Sequence, residues 1–433
     1  MAPRIALLCL LLACSPKASP KQLGFIHDDY ERARAEAEKR NVPLFVDVWA
    51  SWCHTCLSVK QYVLPDPTLR PLADRYVWLA IDSERRDNAA FLQRFPSRSL
   101  PTLWVIEPAS QTPLLKWIGA ATAAELKGVL EDTLRERSQP SAAEGAEANA
   151  LWLRGHRASA AGETARAIEH YRRALEVAPQ DWSRRPQTVE ALSMRLAESE
   201  QPAALLELAA REAPTLPPST ARLNVVLNAI DASEDVPQHE ALPALLQLGT
   251  QIAETPSDRV LLDDRSSLYL SLISAYETAN PAESQRLAQS LSRTLDAQAS
   301  RETDAARRRV WDPHRVEAYL AIGEAARAIP MLERSEREVP RDYNAAARLA
   351  RVYLTLHRLP EARAAIDRAL PLSDGPRKLR LYLLKADILV AAQDKAAARA
   401  ALEEALAFAR SAQLPAQYDK LRQTIERRAR ELS

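Results

Sequence analysis

Two cysteines three residues apart, Cys53 and Cys56, follow the segment Trp49-Ala50-Ser51-Trp52 and enclose His54 and Thr55. The apolar run from Val42 to Val48 comes just before. Such a run predicts a buried strand that delivers Cys53 to the first turn of a helix. At that position the unpaired N–H groups and the positive end of the helix dipole favour thiolate over thiol. Cys56 falls one turn later, close enough to resolve a mixed disulfide. Thiol-disulfide exchange is the chemistry expected of the pair.

The chain holds four cysteines, and the other two, Cys9 and Cys14, lie in its first fifteen residues. A charged start, Met1 to Arg4, leads into the apolar stretch Ile5 to Ala13, too short to span a bilayer. Residues 1–13 therefore have the form of an export signal. Leu11-Leu12-Ala13-Cys14 resembles the bacterial lipobox, which implies cleavage after Ala13 and lipidation of Cys14. An ordinary signal peptide that contains a cysteine is the alternative. Acyl chains on Cys14 would anchor the protein through a polar tether, residues 14–21. The expected location is the bacterial cell envelope, facing the periplasm, with Ser15 after the lipidated cysteine favouring the outer membrane. After processing, Cys53 and Cys56 are the only other thiols, so no structural disulfide framework forms. A lone close pair outside the cytoplasm is a redox couple or a metal clip, with a structural role the weakest option.

At 433 residues the chain exceeds one ordinary core. Lys and Arg number 58 against 57 Asp and Glu, a net charge of +1, which leaves no electrostatic footprint for nucleic acid. Only 9 glycines and 5 phenylalanines, with long Ala-, Leu- and Arg-rich stretches, predict a mostly helical chain outside the cysteine region.

The elements that must position the cysteines can be placed along residues 22–137. A helix capped by Asp28 or Asp29 runs to Arg40, and the strand Leu44 to Val48 follows. The cysteine helix runs to about Val63. A second strand covers Val77 to Asp82, and a helix lies around Asn88 to Arg94. Two more strands, Leu103 to Ile106 and Leu114 to Ile118, precede Gly119 and a helix from Thr122 to about Arg135.

Three separate pieces make this stretch resemble a thioredoxin-fold domain: Val46 to Cys53 as the strand entering the active site, Leu100-Pro101-Thr102 as the cis-proline loop, and Lys116 to Ala120 as the last strand and its glycine. The leading helix and Tyr62 to Pro67 more specifically resemble the periplasmic C-terminal domain of transmembrane disulfide reductases. The resemblance implies an α/β thioredoxin fold, a central mixed sheet flanked by helices. It implies Cys53 as nucleophile, Cys56 as resolving thiol, and Asp47 as the buried acid that moves a proton to or from Cys56. A carboxylate under an apolar sheet has a raised pKa suited to that task, although a strand-end aspartate held by local hydrogen bonds is the alternative. Leu100, Pro101 and Thr102 would border an extended substrate strand, with Trp52 as the aromatic flank and Trp49 as packing. Two departures bear on the redox poise. His54-Thr55 replaces the usual Gly-Pro, and Trp78 stands where thioredoxin carries a lysine near the acid. His54 either stabilises the thiolate or points to solvent.

Residues 138–146 form a polar linker, and residues 147–433 an all-α array. Leu151, Gly155, Gly162, Ala167, Tyr171, Ala174 and Pro179 fall where a tetratricopeptide pattern places its packing residues. Tyr319, Gly323, Leu332 and Pro340 repeat it, as do Leu349, Ala350, Tyr353, Ala362 and Ala369, and then Ala386, Leu389, Ala398, Leu402 and Ala405. Residues 187–300 are helical but fit poorly. The result is a tetratricopeptide-like solenoid. His156, His170, His239, His314 and His357 are scattered without metal-ligand spacing, so each is expected to be an ordinary surface or core histidine. Arg307-Arg308-Arg309 and Arg427, Arg428 and Arg430 are expected on solvated helix faces or along a groove for an acidic peptide.

The function expected is a membrane-anchored thiol-disulfide oxidoreductase without cofactor, in the reductase or isomerase direction. Its partners would be protein thiols and disulfides, a separate redox donor or acceptor protein, and a protein docked on the repeats. Two alternatives remain: a non-catalytic binding scaffold, and a Cu(I) chaperone using the two thiolates. Pro101 opposes the second, because the resembling family sets its cis proline against the sulfurs.

Overall fold

The computed structural model describes residues 22–97, 99–138, 146–179, 181–412, 414 and 418–432; the expected signal peptide, the tether with Cys14, and linker residues 139–145 lie outside the described residues. Five strands build the N-terminal sheet: β1 (Phe25–His27), β2 (Leu44–Trp49), β3 (Val77–Asp82), β4 (Thr102–Glu107) and β5 (Thr112–Ile118). Their order is β1-β3-β2-β4-β5. The first three run parallel, and β4 and β5 are antiparallel to their neighbours, so the sheet is mixed. In β2 the period-2 alternation sends Leu44, Val46 and Val48 to one face, where they meet Ala33 and Ala37 of α1 (Tyr30–Arg40) together with Phe91 and Phe95. Phe45 goes to the other face, with Trp78 and Leu103, under Leu126 and Leu130. Asp47, opposite Ala80 and Leu103, has the same parity as Phe45.

Asp29 caps α1, accepting a hydrogen bond from the Arg32 N–H at 3.0 Å, and Asn41 ends it in a left-handed conformation. Helix α2 (His54–Ser58) continues as a π-helical turn, Val59–Val63. Helix α3 is Ala89–Arg94 and α4 is Ala123–Ser138, which ends three residues later than the sequence pattern suggested.

From Ala146 onward the described residues are helical, joined by turns and short 3-10 segments. The first pair, Ala146–Ala160 and Thr164–Val177, shows why the repeat positions are small. A Cβ on Gly155 would run into the Tyr171 ring, and Gly162 turns the chain with φ +78°. The stretch that fits the repeat pattern poorly contains helices of 18 and 21 residues, Leu262–Ala279 and Pro281–Arg301, longer than the 14 residues of Thr164–Val177. The solenoid packs directly on the sheet domain: helix Ala146–Ala160 lies against β5, and one apolar cluster runs unbroken from Phe45 and Trp78 through Trp152 and Tyr171 to Val310 and Trp311. No helix among the described residues is long and apolar enough to cross a membrane.

Candidate active site

Strand β2 ends at Trp49, and a tight turn closed by Cys53 N–H donating to the Ala50 carbonyl at 3.2 Å sets Cys53 at the mouth of α2. Its sulfur caps the helix, accepting from the Cys56 N–H at 3.1 Å. The two sulfurs are joined in a disulfide of 2.05 Å, so this is the oxidised form. Cys53 retains 6% of its surface and Cys56 1%. Leu100, half-buried, packs on the cysteine pair together with Trp49 and Trp52. The Leu100–Pro101 bond is cis. Pro101 is held by its carbonyl accepting from Gly119 N–H at 2.9 Å, and Thr102 Oγ1 donates to the Ser99 carbonyl at 2.5 Å. The structure thus packs Trp52, after the end of β2, and Leu100, before β4, against the cysteines, with Pro101 and Thr102 following Leu100 into β4.

Asp47 is buried to 1% exposure and neither carboxylate oxygen has a hydrogen-bond partner. The local hydrogen bonds that would make it a merely structural strand-end residue are missing. Burial pushes its pKa up to about 6, against the opposing pull of the Lys60 ammonium. Lys60 comes from the π turn after α2, and its Nζ lies 3.0 Å from the centre of the Trp49 ring. Burial lowers its pKa to about 8, while Asp47, Asp82 and Asp28 act in the other direction. The lysine replaced by Trp78 is therefore supplied from a different element. Its position four residues after Cys56, on the same helical face, was the available signal.

His54 does not point to solvent. It is buried beneath the solenoid, with Nδ1–H donating to the Val310 carbonyl at 2.5 Å and its ring in tilted contact with that of His314, the centroids 3.7 Å apart. Burial lowers its pKa to about 4, which keeps it neutral. Solenoid residues ring the rest of the motif. Ser58 Oγ donates to Asp263 Oδ1 at 2.7 Å, Asn344 Nδ2 donates to Ser51 Oγ at 3.1 Å, and Tyr62 OH donates to Glu302 at 2.8 Å. Trp52 Nε1 donates to Glu84 at 3.1 Å, and the Arg377 guanidinium lies 4.8 Å from the centre of the Trp52 ring. Arg307 stacks on Tyr62, Arg308 pairs with Glu338 and Arg309 with Asp342, so this basic run is neither a free solvated face nor an open groove. His314, expected to be an ordinary histidine, belongs to this environment, while His156 is a core residue bonded to the Lys116 carbonyl at 3.2 Å. Among the described residues no group of three or more His, Cys, Asp or Glu is placed to hold a metal ion.

Residues 26–108 match the family model described as thioredoxin-like, and residues 148–181, 319–377 and 379–411 match models described as tetratricopeptide repeat. The chain joins a thioredoxin-like domain to tetratricopeptide repeats. Its thioredoxin-like domain is similar to the thiol:disulfide interchange protein DsbD of Pseudoalteromonas atlantica, 32% identical over 78 residues. That match covers 18% of this chain and 13% of the relative, so only a small part of the longer protein is shared. It is also similar to the chloroplastic thioredoxin-like protein CITRX of Solanum tuberosum, 27% identical over 131 residues, covering 28% of this chain and 70% of that one. The repeats align with the crystal structure of a tetratricopeptide repeat protein from Parabacteroides merdae, 13% identical with a TM-score of 0.43, over 65% of this chain and 99% of that one.

Proposed function

We propose that the protein is a thiol-disulfide oxidoreductase acting on protein substrates, in the direction of reduction or isomerisation. The observation that carries this reading is the Cys53–Cys56 disulfide at the start of α2, packed on Leu100 before cis Pro101 and served by a buried, unpartnered Asp47. In the reduced enzyme the Cys53 thiolate attacks a substrate disulfide, forms a mixed disulfide and expels one substrate thiolate. Cys56 then gives its proton to Asp47 and attacks Cys53 Sγ. The mixed disulfide breaks, the second substrate thiolate leaves, and two electrons have passed from the enzyme to the substrate. A separate donor protein must return them. Lipidation at Cys14 and a place on the periplasmic face of a bacterial envelope, with the outer membrane favoured, complete the proposal. Labelled palmitate that fails to enter the full chain, or enters equally after Cys14→Ser, overturns that part.

The reduction potential of the couple, equilibrated with defined glutathione and dithiothreitol ratios, tests the direction. A value near that of thioredoxin, about −270 mV, supports a reductase, and one between about −180 and −120 mV sinks that direction in favour of disulfide formation or shuffling. The repeats supply a protein-docking surface, in keeping with the usual role of such arrays. Replacing both cysteines by serine separates the enzyme from a scaffold: function that persists with intact binding rejects the enzyme.

A further inference from the structure

The two residues between the cysteines are enclosed by groups that no thioredoxin-like domain contains by itself. Asp263 and Ser266, on the helix Leu262–Ala279, and His314, on the helix Asp312–Ala321, form a buried polar cluster against His54 and the nearby Ser58. Asp263 Oδ1 accepts from Ser58 Oγ at 2.7 Å, while its Oδ2 is buried with no partner. The Ser266 hydroxyl donates to the Asp263 carbonyl at 2.8 Å, and His314 Nδ1 lies 2.6 Å from Ser266 Oγ. With that hydrogen already placed, His314 Nδ1–H is the donor to Ser266. The His314 ring then lies against His54, whose own N–H is taken by the Val310 carbonyl. The remaining nitrogen, His54 Nε2, is buried with no partner.

We infer that the solenoid is a working part of the redox centre, with Asp263 and His314 acting as positioning residues that make the Cys53–Cys56 couple more reducing. This rests on the oxidoreductase reading above. The charge created at the site on reduction is the Cys53 thiolate. Asp263, bonded within the first turns of α2, brings a negative charge to the flank of that thiolate and opposes it. His54 would favour the thiolate as a cation, but it is kept neutral by burial against His314 and by the nearby buried charge of Arg348, and its N–H is turned to a carbonyl. Asp264 and Glu190, also buried, have pKa values raised by burial, which favours their neutral form, so they add no second negative charge. Both effects raise the energy of the dithiol form relative to the disulfide, and a destabilised reduced form is a stronger reductant.

The test uses the full chain and the glutathione equilibrium. Asp263→Asn keeps the shape and removes the charge; His314→Ala opens the ring contact and lets water reach His54. Each shifts the equilibrium about tenfold towards the dithiol, about 30 mV for a two-electron couple. The His314→Ala shift disappears in a His54→Phe background, an outcome that a merely structural role does not produce. Where loss of the Asp263 charge unfolds the chain, as read by circular dichroism, His314→Ala and the His54 cycle decide alone. Equilibrium constants within twofold of wild type overturn the inference and leave the oxidoreductase reading standing. A wild-type couple that never exchanges with glutathione overturns both.

Discussion

Asp47 lies buried with two unpartnered oxygens, and its raised pKa has consequences for rate and for stability. In the proposed resolving step it accepts the Cys56 proton and must be ionised, so that step should fall away as pH drops through about 6. Asp47→Asn should slow single-turnover resolution at pH 7 by roughly a hundredfold. Lys60→Met removes the cation that holds the Asp47 pKa down, so the midpoint of the pH–rate profile should move upward; an unmoved midpoint in stopped-flow assays excludes the coupling. The stability effect runs in the unusual direction for a carboxylate. Between the unfolded value and about 6 the native state holds a proton that the unfolded chain has lost, so this residue's contribution improves as pH falls through that window. At pH 7 the ionised group is a cost, and Asp47→Leu should stabilise the chain by about 2 to 3 kcal/mol in denaturant titration. The cysteines, Asp47 and Pro101 were legible because they stand in a contiguous motif or a loop with its own signature. Lys60 was overlooked because its role depends on which helical face turns towards β2. His314 had no local signal, since its partner lies 260 residues earlier.

Single elements follow from local rules almost throughout. Strand alternation in β2, the Asp29 cap and the left-handed Asn41 each follow from residues within one turn. The solenoid pattern was visible where small residues face aromatics, as at Gly155 and Tyr171, and blurred across 187–300, where longer helices pack with a different spacing. Gly155→Val should therefore destabilise the first repeat by about 1 to 3 kcal/mol through overpacking on Tyr171. Urea denaturation reads this directly, and a value near zero means the second helix can move aside. The π turn at Val59–Val63 had no sequence signature, yet it aims Lys60 at the Trp49 ring.

Across the whole molecule, sequence spacing suggested two units in series, and packing makes them one body. The bonds that join them, such as His54 to Val310 and Ser51 to Asn344, span 256 and 293 residues, beyond the reach of any periodicity. Because one apolar cluster crosses the junction, calorimetry should show the thioredoxin-like domain and the neighbouring repeats melting in a single transition; two resolved peaks would contradict a shared core. The same junction matters kinetically. When domains are only strung together, a cargo on one meets the other at an effective concentration set by linker statistics, falling as the connection lengthens. Here the unbroken core holds the repeats in place, so a substrate seated on them would be presented to Cys53 as an intramolecular reactant at a distance fixed by packing. Inserting glycine and serine between Ser138 and Ala146 should then leave its reaction rate unchanged, and the connection would serve only to keep the two halves in one chain.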